Sequence, residues 1–449
     1  MAGICGVFSD TGCRDDLLLG THYLQHRAQD YCGLGLSDGR GMKPITHEGK
    51  LGEKFPEKRA EILYGAAGIG CVTTDRQPVS SFSQAGGMLL AFDGNVINYL
   101  DLRSKFLDNG AVFTGHHKPK EVNDSVIISR IIAGEREFAT GIEKLLDVLR
   151  GDFAVVALRE EGIYAARGYG RKPLILGRKD PSKKDPSIKK PRYMVSSESV
   201  SFDNAGFDIV RDVNPGEVVL INEDGIKTIK QFDVPVCLGT FEWIYTADPD
   251  SIIDGINVAQ FRIECGRALA KRYPVKADFI APFPNSGIYH ALGFHWESGI
   301  PFSLPFYRYP YSDRSFTRAN QEDQLKEARK KLNAIESLIR GHSFILIDDS
   351  MVRGSQSGER IGALKEKGAT ELYAFMAMLL LDKYCPYGKT TKPGELIGAV
   401  KSVPEMQAQL KLDGLYFSQP EDILNTVTKL SNGRISSLDQ LCLECAKGF

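Results

Sequence analysis

Two sets of residues in this 449-residue chain carry reactive chemistry. The first is four cysteines, Cys237, Cys385, Cys442 and Cys445, the last two spaced as Cys-Leu-Glu-Cys. A single CxxC pair says little, but two further cysteines complete the ligand count of a four-thiolate zinc or iron-sulfur site. Such a centre would pin the last segment to the body of the protein. The second set is the stretch Ile345-Leu-Ile-Asp-Asp-Ser-Met-Val-Arg-Gly-Ser-Gln-Ser357. An apolar strand delivers Asp348 and Asp349 to its carboxyl end, and Ser350, Arg353, Gly354, Ser355, Gln356 and Ser357 form a small polar turn before a helix. Gly354 lets the backbone approach an anion, and hydroxyls plus free amides at a helix start can wrap a monophosphate. The paired acids cannot also face that phosphate. They suit sugar hydroxyls and a divalent ion.

The elements that must position these groups fall into two halves. In the first, β-rich runs at residues 68–72, 88–92, 153–158 and 217–221 alternate with Gly-rich turns, which predicts stacked antiparallel sheets. Helices are expected over 15–25 and 125–132, with a further amphipathic run at 143–149, so this half reads as α+β. Residues 179–192 carry Pro or charge at nearly every step and predict an exposed hairpin tip. After Cys237 strands alternate with helices: 277–281 then 286–294, 344–347 then 357–366, then 372–376. That pattern predicts an α/β domain with a parallel sheet, whose ligands sit beyond the carboxyl ends of the strands. The expected domains are 1–235 and 236–449.

With 42% hydrophobic residues the chain can bury cores for two or three domains. A formal charge of −1 gives no global field for nucleic acid or a membrane surface. Neither a leader-like segment nor an apolar run long enough to span a bilayer is visible, so a cytoplasmic location is expected. Nine cysteines, an odd number, fit a reducing compartment better than a disulfide framework. Cys5, Cys13, Cys32, Cys71 and Cys265 are expected to be small buried hydrophobes.

Ile347-Asp-Asp-Ser-Met-Val-Arg-Gly-Ser355 resembles the phosphoribosyl pyrophosphate loop of the glutamine phosphoribosylpyrophosphate amidotransferase family, also called amidophosphoribosyltransferases. The resemblance spans nearly the whole chain. Ser196-Ser-Glu-Ser199, Phe241-Glu-Trp-Ile-Tyr245, Ala247-Asp-Pro-Asp-Ser251, Asp313-Arg-Ser-Phe316 and Lys331-Leu-Asn333 resemble further stretches of that family in the expected order. The four cysteines fall where its iron-sulfur branch holds a cluster, which implies 4Fe-4S over zinc. Membership implies two half-reactions: an N-terminal-nucleophile domain hydrolyses glutamine, and ammonia passes internally to displace pyrophosphate from the activated ribose. Pro284-Asn-Ser-Gly287 resembles the pyrophosphate loop, with Asn285 where an Asp is usual. The resemblance therefore implies substrate contacts at Asn285, Ser286 and Gly287, Mg2+ contacts at Ser286, Asp348 and Asp349, and a flexible lid from Arg308 to Asn333. Within that lid, Arg314 and Lys331 would meet pyrophosphate charge. The displacement should pass through an oxocarbenium-like state, so catalysis neutralises the leaving group and excludes water.

The first half departs from the family. Its glutaminase uses an N-terminal Cys whose α-amine is the base, and here Met1-Ala2-Gly3-Ile4-Cys5-Gly6 puts Ala2 in that place. This register keeps Gln25-His-Arg-Ala-Gln29 at the family's separation. A start at Cys5, exposed by processing, would need a deletion and would put Ser9 where Gly is usual. Gly68-Ile-Gly-Cys-Val-Thr73 has Thr73 where an Arg would grip the substrate carboxylate, and Arg76 lies on the wrong side of an extended strand to replace it. Asp93-Gly94 stands where Asn-Gly forms the oxyanion hole, and a carboxylate repels a developing oxyanion. Gly94 still offers an amide, and Asp124 resembles the acid that receives the substrate amine.

The expected protein is therefore an amidophosphoribosyltransferase-like enzyme with a degenerate glutaminase half, a 4Fe-4S cluster and Mg2+. Its nitrogen would come from ammonia, a separate glutaminase or another amine. Family resemblance adds a homo-oligomer with nucleotide feedback, and purine synthesis as the setting. Two other readings stand beside it: a working glutamine-dependent enzyme with processed Cys5, and a non-catalytic regulator that binds phosphoribosyl pyrophosphate.

Overall fold

The computed structural model describes residues 2–37, 41–55, 64–83, 86–110, 123–181, 189–308, 332–388 and 396–446. Thirteen strands build the first half: β1 Gly3–Phe8, β2 Tyr31–Ser37, β3 Met42–Glu48, β4 Ala67–Thr73, β5 Val79–Ser83, β6 Gly86–Val96, β7 Gly151–Arg159, β8 Gly162–Arg167, β9 Ile175–Lys179, β10 Arg192–Ser196, β11 Asp208–Asp212, β12 Glu217–Asn222 and β13 Gly225–Gln231. They form a seven-stranded sheet, β11-β9-β10-β1-β4-β2-β3, and a six-stranded sheet, β13-β12-β8-β7-β6-β5. Every pairing in both is antiparallel.

Strand periodicity decides which side chains meet. Along β1, Ile4 joins Ile69, Leu89, Ala154, Val156 and Ile163 in the core between the sheets, whereas Cys5 and Val7 join Leu17 on the opposite face. Gly6 also faces inward, where an added Cβ would lie 2.9 Å from Val156. The helix Arg14–His22 covers one sheet, and the helices Asp124–Ala133 and Phe138–Val148 cover the other, giving helix-sheet-sheet-helix layers. The basic 179–192 stretch does join a hairpin, since Lys179 of β9 pairs with Arg192 of β10.

The second half starts with a two-strand turn, β14 Ile252–Ile253 and β15 Ile256–Asn257. It then builds a parallel sheet of β16 Phe279–Pro282, β19 Phe344–Asp348, β20 Leu372–Met376 and β21 Gly414–Phe417, in that spatial order. Between β16 and β19, β17 Phe306–Arg308 pairs antiparallel with β18 Leu332–Ala334. The parallel strands are apolar on both faces, as crossovers on both sides require. Ile345, Ile347 and Phe375 pack on the helices Val258–Arg272, Ile288–Ser298 and Pro420–Leu430, whereas Phe344, Leu346 and Ala374 pack on Ser355–Glu366 and Val403–Leu410. The first of those apolar sets is continuous with Cys5 and Leu17 of the front half through Trp243 and Phe261. Among the described residues, no helix is long and apolar enough to cross a membrane.

Charge also joins the halves. Arg167, buried at the end of β8, forks onto Asp254 in the β14-β15 turn at 2.7 and 3.0 Å. The Asp254 N–H donates to Asp212 Oδ1 at 2.8 Å. Burial, and after it the Asp254 charge, push the Asp212 carboxyl up to about 6. Because the folded state holds this proton more tightly than the unfolded chain, the stabilising contribution is complete below about pH 4 and is lost as pH rises through 6. Asp212→Asn is therefore expected to stabilise by about 1–3 kcal/mol at pH 7.5 and to be neutral near pH 4. Denaturation midpoints at the two pH values check this. An equal effect at both would show that proton binding at Asp212 plays no part.

Candidate active site and thiolate centre

The polar turn after β19 lies at the carboxyl edge of the parallel sheet, next to the loop that follows β16. Phe283 N–H donates to Ile347 O at 2.8 Å, which brings Asn285, Ser286 and Gly287 beside Asp348. An added Cβ on Gly287 would stand 2.2 Å from Ile347 O, so only glycine permits this approach. Ser286 Oγ donates to Asp348 Oδ1 at 3.2 Å, and Ser350 Oγ donates to Asp349 Oδ2 at 2.6 Å. Gly354 has φ of 73° where the helix Ser355–Glu366 begins, and an added Cβ would meet Ile397. Ser357 is buried at that helix start, whereas Arg353, Ser355 and Asn285 are exposed. Of Gln356 only the backbone is described. Arg314 and Lys331 lie outside the described residues.

Asp348 and Asp349 are both buried, and burial followed by the Asp349 charge pushes the Asp348 carboxyl well above its ordinary range. Arg360 offers one long contact, 3.8 Å from Asp348 Oδ2, and sequence reasoning missed it. Two buried acids with hydroxyls at hand make a donor set fit for a hard divalent ion such as Mg2+.

The front half gathers its own buried charges around Arg27. Arg27 Nε donates to Ala2 O at 2.7 Å, one terminal nitrogen donates to Glu198 at 2.5 Å and Glu242 at 2.9 Å, and the other to Glu242 at 3.1 Å and Asp93 at 3.2 Å. Lys172 Nζ lies 3.8 Å from both Asp93 and Glu242. All five charged side chains are buried. Burial alone would raise the Asp93 carboxyl, but Lys172 and then Arg27 hold it below its ordinary range. Glu198 is likewise brought down to about 2 against burial, by His26 and Arg27.

Asp93 is thus fully engaged: Oδ1 accepts the Ala2 N–H at 2.8 Å and Oδ2 accepts from Arg27. Thr73 is buried and donates its hydroxyl to Asp75 O, while Arg76 is exposed beyond the end of β4. Asp124 Oδ2 accepts the Val96 N–H at 3.2 Å, and Gly94 lies within the β6-β7 ladder. Cys5 sits in mid-strand, flanked by Ser196 and Gly70, with its thiol buried and pushed far above the ordinary range by that burial. The network members Glu198 and Glu242 lie in stretches legible as motifs, but nothing in those motifs signals that they close on Arg27.

Cys237, Cys385, Cys442 and Cys445 come together in two pairs. The Cys237 and Cys442 sulfurs lie within 4.8 Å of each other, and Cys385 shares a hydrogen bond with Cys445. Charge at Cys385 is felt at Cys442 and Cys445, so the pairs are neighbours. That shared bond, the Tyr387 N–H and the Lys172 charge bring Cys385 down to about 6, while the same bond pushes Cys445 up. Backbone bonds independent of any metal hold the frame: Cys442 N–H donates to Leu238 O and Asp382 N–H to Cys445 O. The other five cysteines are buried, as expected.

A model of the glutamine amidotransferase domain matches residues 67–186. The chain is 32% identical to an amidophosphoribosyltransferase of Archaeoglobus fulgidus over 99% of its own length and 96% of the relative's. It is 30% identical to the Bacillus subtilis amidophosphoribosyltransferase, covering 99% of this chain and 93% of that one. Among solved structures it is similar to the Bacillus subtilis glutamine phosphoribosylpyrophosphate amidotransferase complexed with ADP and GMP, with a TM-score of 0.88 and 29% identity over 100% of this chain and 96% of that chain.

Proposed function

Because the chain belongs to the amidophosphoribosyltransferase family, we propose that it transfers an amino group to 5-phosphoribosyl 1-pyrophosphate from ammonia or another amine, with its own glutaminase half inactive. The reading takes residues 1–235 as the glutaminase-like half and 236–449 as the phosphoribosyltransferase half. The observation that carries it is the Asp93 contact set, since a carboxylate tied to Ala2 and Arg27 cannot donate to an oxyanion. Ala2 also lacks a nucleophile, and Thr73 lacks a guanidinium.

In the second half, the turn from Ser350 to Ser357 would hold the 5-phosphate with helix-start amides and hydroxyls. Asp348 and Asp349 would orient the ribose hydroxyls. The amine nitrogen forms its bond to the anomeric carbon as the bond to the pyrophosphate oxygen breaks, and Asn285, Ser286, Gly287, Arg314 and Lys331 would receive the leaving group. Mg2+, held by Ser286, Asp348 and Asp349, would supply neutralisation of pyrophosphate charge. The four cysteines would hold a 4Fe-4S cluster, which the family's iron-sulfur branch and the paired thiols both support. The reading also takes in nucleotide feedback, which the ADP and GMP bound to the Bacillus subtilis relative support, together with a homo-oligomeric assembly and a place in purine biosynthesis.

The test follows pyrophosphate release from phosphoribosyl pyrophosphate and Mg2+ with ammonium or with glutamine. Ammonium should sustain turnover, whereas glutamine should be slower by about 10²–10³-fold or more, the scale of losing oxyanion stabilisation alone. Stoichiometric glutamate formation at the ammonium rate would refute the inactive front half.

A further inference from the structure

We propose that Arg171 is the hydrogen-bond donor and counter-cation of the four-cysteine centre, setting the reduction potential of the cluster held there. This rests on the iron-sulfur reading given above. Arg171 Nε–H donates to Cys442 Sγ at 3.3 Å. The guanidinium has little freedom to turn away from that sulfur. One terminal nitrogen donates to Glu444 at 2.8 Å, the other stands 3.6 Å from Asp152, and the plane stacks on Tyr387 at 3.8 Å from the ring centre. Tyr387 closes the ring of contacts by donating its hydroxyl to Glu444 at 2.9 Å.

The backbone is fixed as well. Asp152 is fully buried and accepts the Phe153, Tyr169 and Arg171 N–H groups at 2.7, 2.9 and 2.8 Å. Lys172, the next residue, reaches the opposite way to Asp93 and Glu242. The Lys172 charge is also felt at Cys385, but it is Arg171 that touches segments carrying three of the four thiols: Cys442 directly, Cys445 through Glu444, and Cys385 through Tyr387.

An N–H bond to a ligand sulfur favours the more electron-rich cluster and so raises its potential. The expected size is that of a hydrogen bond to a charged group, about tenfold in the equilibrium constant for reduction. The experiment reconstitutes the full-length protein anaerobically with iron and sulfide, measures iron content, and titrates the reduced-cluster EPR signal. Arg171→Met, which keeps an apolar stem against Tyr387, should load iron but need a stronger reductant by that tenfold factor. Arg171→Lys keeps the charge without the directed Nε–H, and should fall between.

A wild-type protein that holds only zinc, or no metal, would overturn the iron-sulfur reading and this inference with it. A loaded wild type whose potential both variants share would overturn the role of Arg171 alone. Should Arg171→Met fail to load, Arg171→Lys decides: an intermediate potential supports the role, and an unchanged one rejects it.

Discussion

Arg27→Met is expected to lower stability by about 3–5 kcal/mol, the cost of removing one partner from a buried ionic cluster. The reason lies in what remains. Asp93, Glu198 and Glu242 would keep their burial and lose the guanidinium that each of them contacts. Lys172 could compensate only part of that charge, since it lies 3.8 Å from two of the three and makes no direct hydrogen bond to either. Adding Glu242→Met to Arg27→Met should recover part of the loss, because one uncompensated carboxylate is removed together with its partner. Denaturant unfolding of wild type, single and double variants measures both effects. A single variant within about 0.5 kcal/mol of wild type, the size of an ordinary surface change, would mean that the cluster contributes nothing.

Asp349→Asn should have the opposite effect on stability and a larger one on catalysis. Two neighbouring buried carboxylates repel, which is part of why the Asp348 carboxyl is pushed up, so the amide relieves the unliganded fold. The Ser350 hydroxyl keeps an acceptor of the same shape. Ammonium-dependent pyrophosphate release is nevertheless expected to fall by about 10²–10³-fold, the scale of losing one preorganised charge at a reacting centre. A melting point above wild type combined with that loss is the signature of acids placed for a ligand rather than for folding. Lower stability with retained activity would place Asp349 in the scaffold.

The parts of the fold visible in the sequence were those with strong period or composition. Strands β7, β12, β19 and β20 appear as compact apolar runs, and the helix after β19 opens within two residues of its expected start. The helix beginning at Phe138 was foreseen only for its later part, because Gly141 and Glu143 dilute the apolar face of its first turns. β1 escaped notice: Gly-Ile-Cys-Gly-Val-Phe has two glycines, and its role comes from pairing with β4 and β10, far along the chain. The grouping of the four cysteines and the polar turn after β19 could be read because they lie in local runs or in a small count of one residue type. The Arg27 cluster could not. It closes over as many as 215 positions, and the chain has 56 basic and 57 acidic residues, nearly all able to pass for surface charge.

Cys5 and Leu17 of the front layers share one apolar body with Trp243, Phe261, Phe375 and Ile423 of the back. A front half relieved of its own chemistry would therefore not be free to disappear. Cutting the gene between the halves would leave each product with a sticky raw face, prone to clump before it could work. On the reading proposed above, a front half without chemistry of its own would still serve its neighbour as a keel.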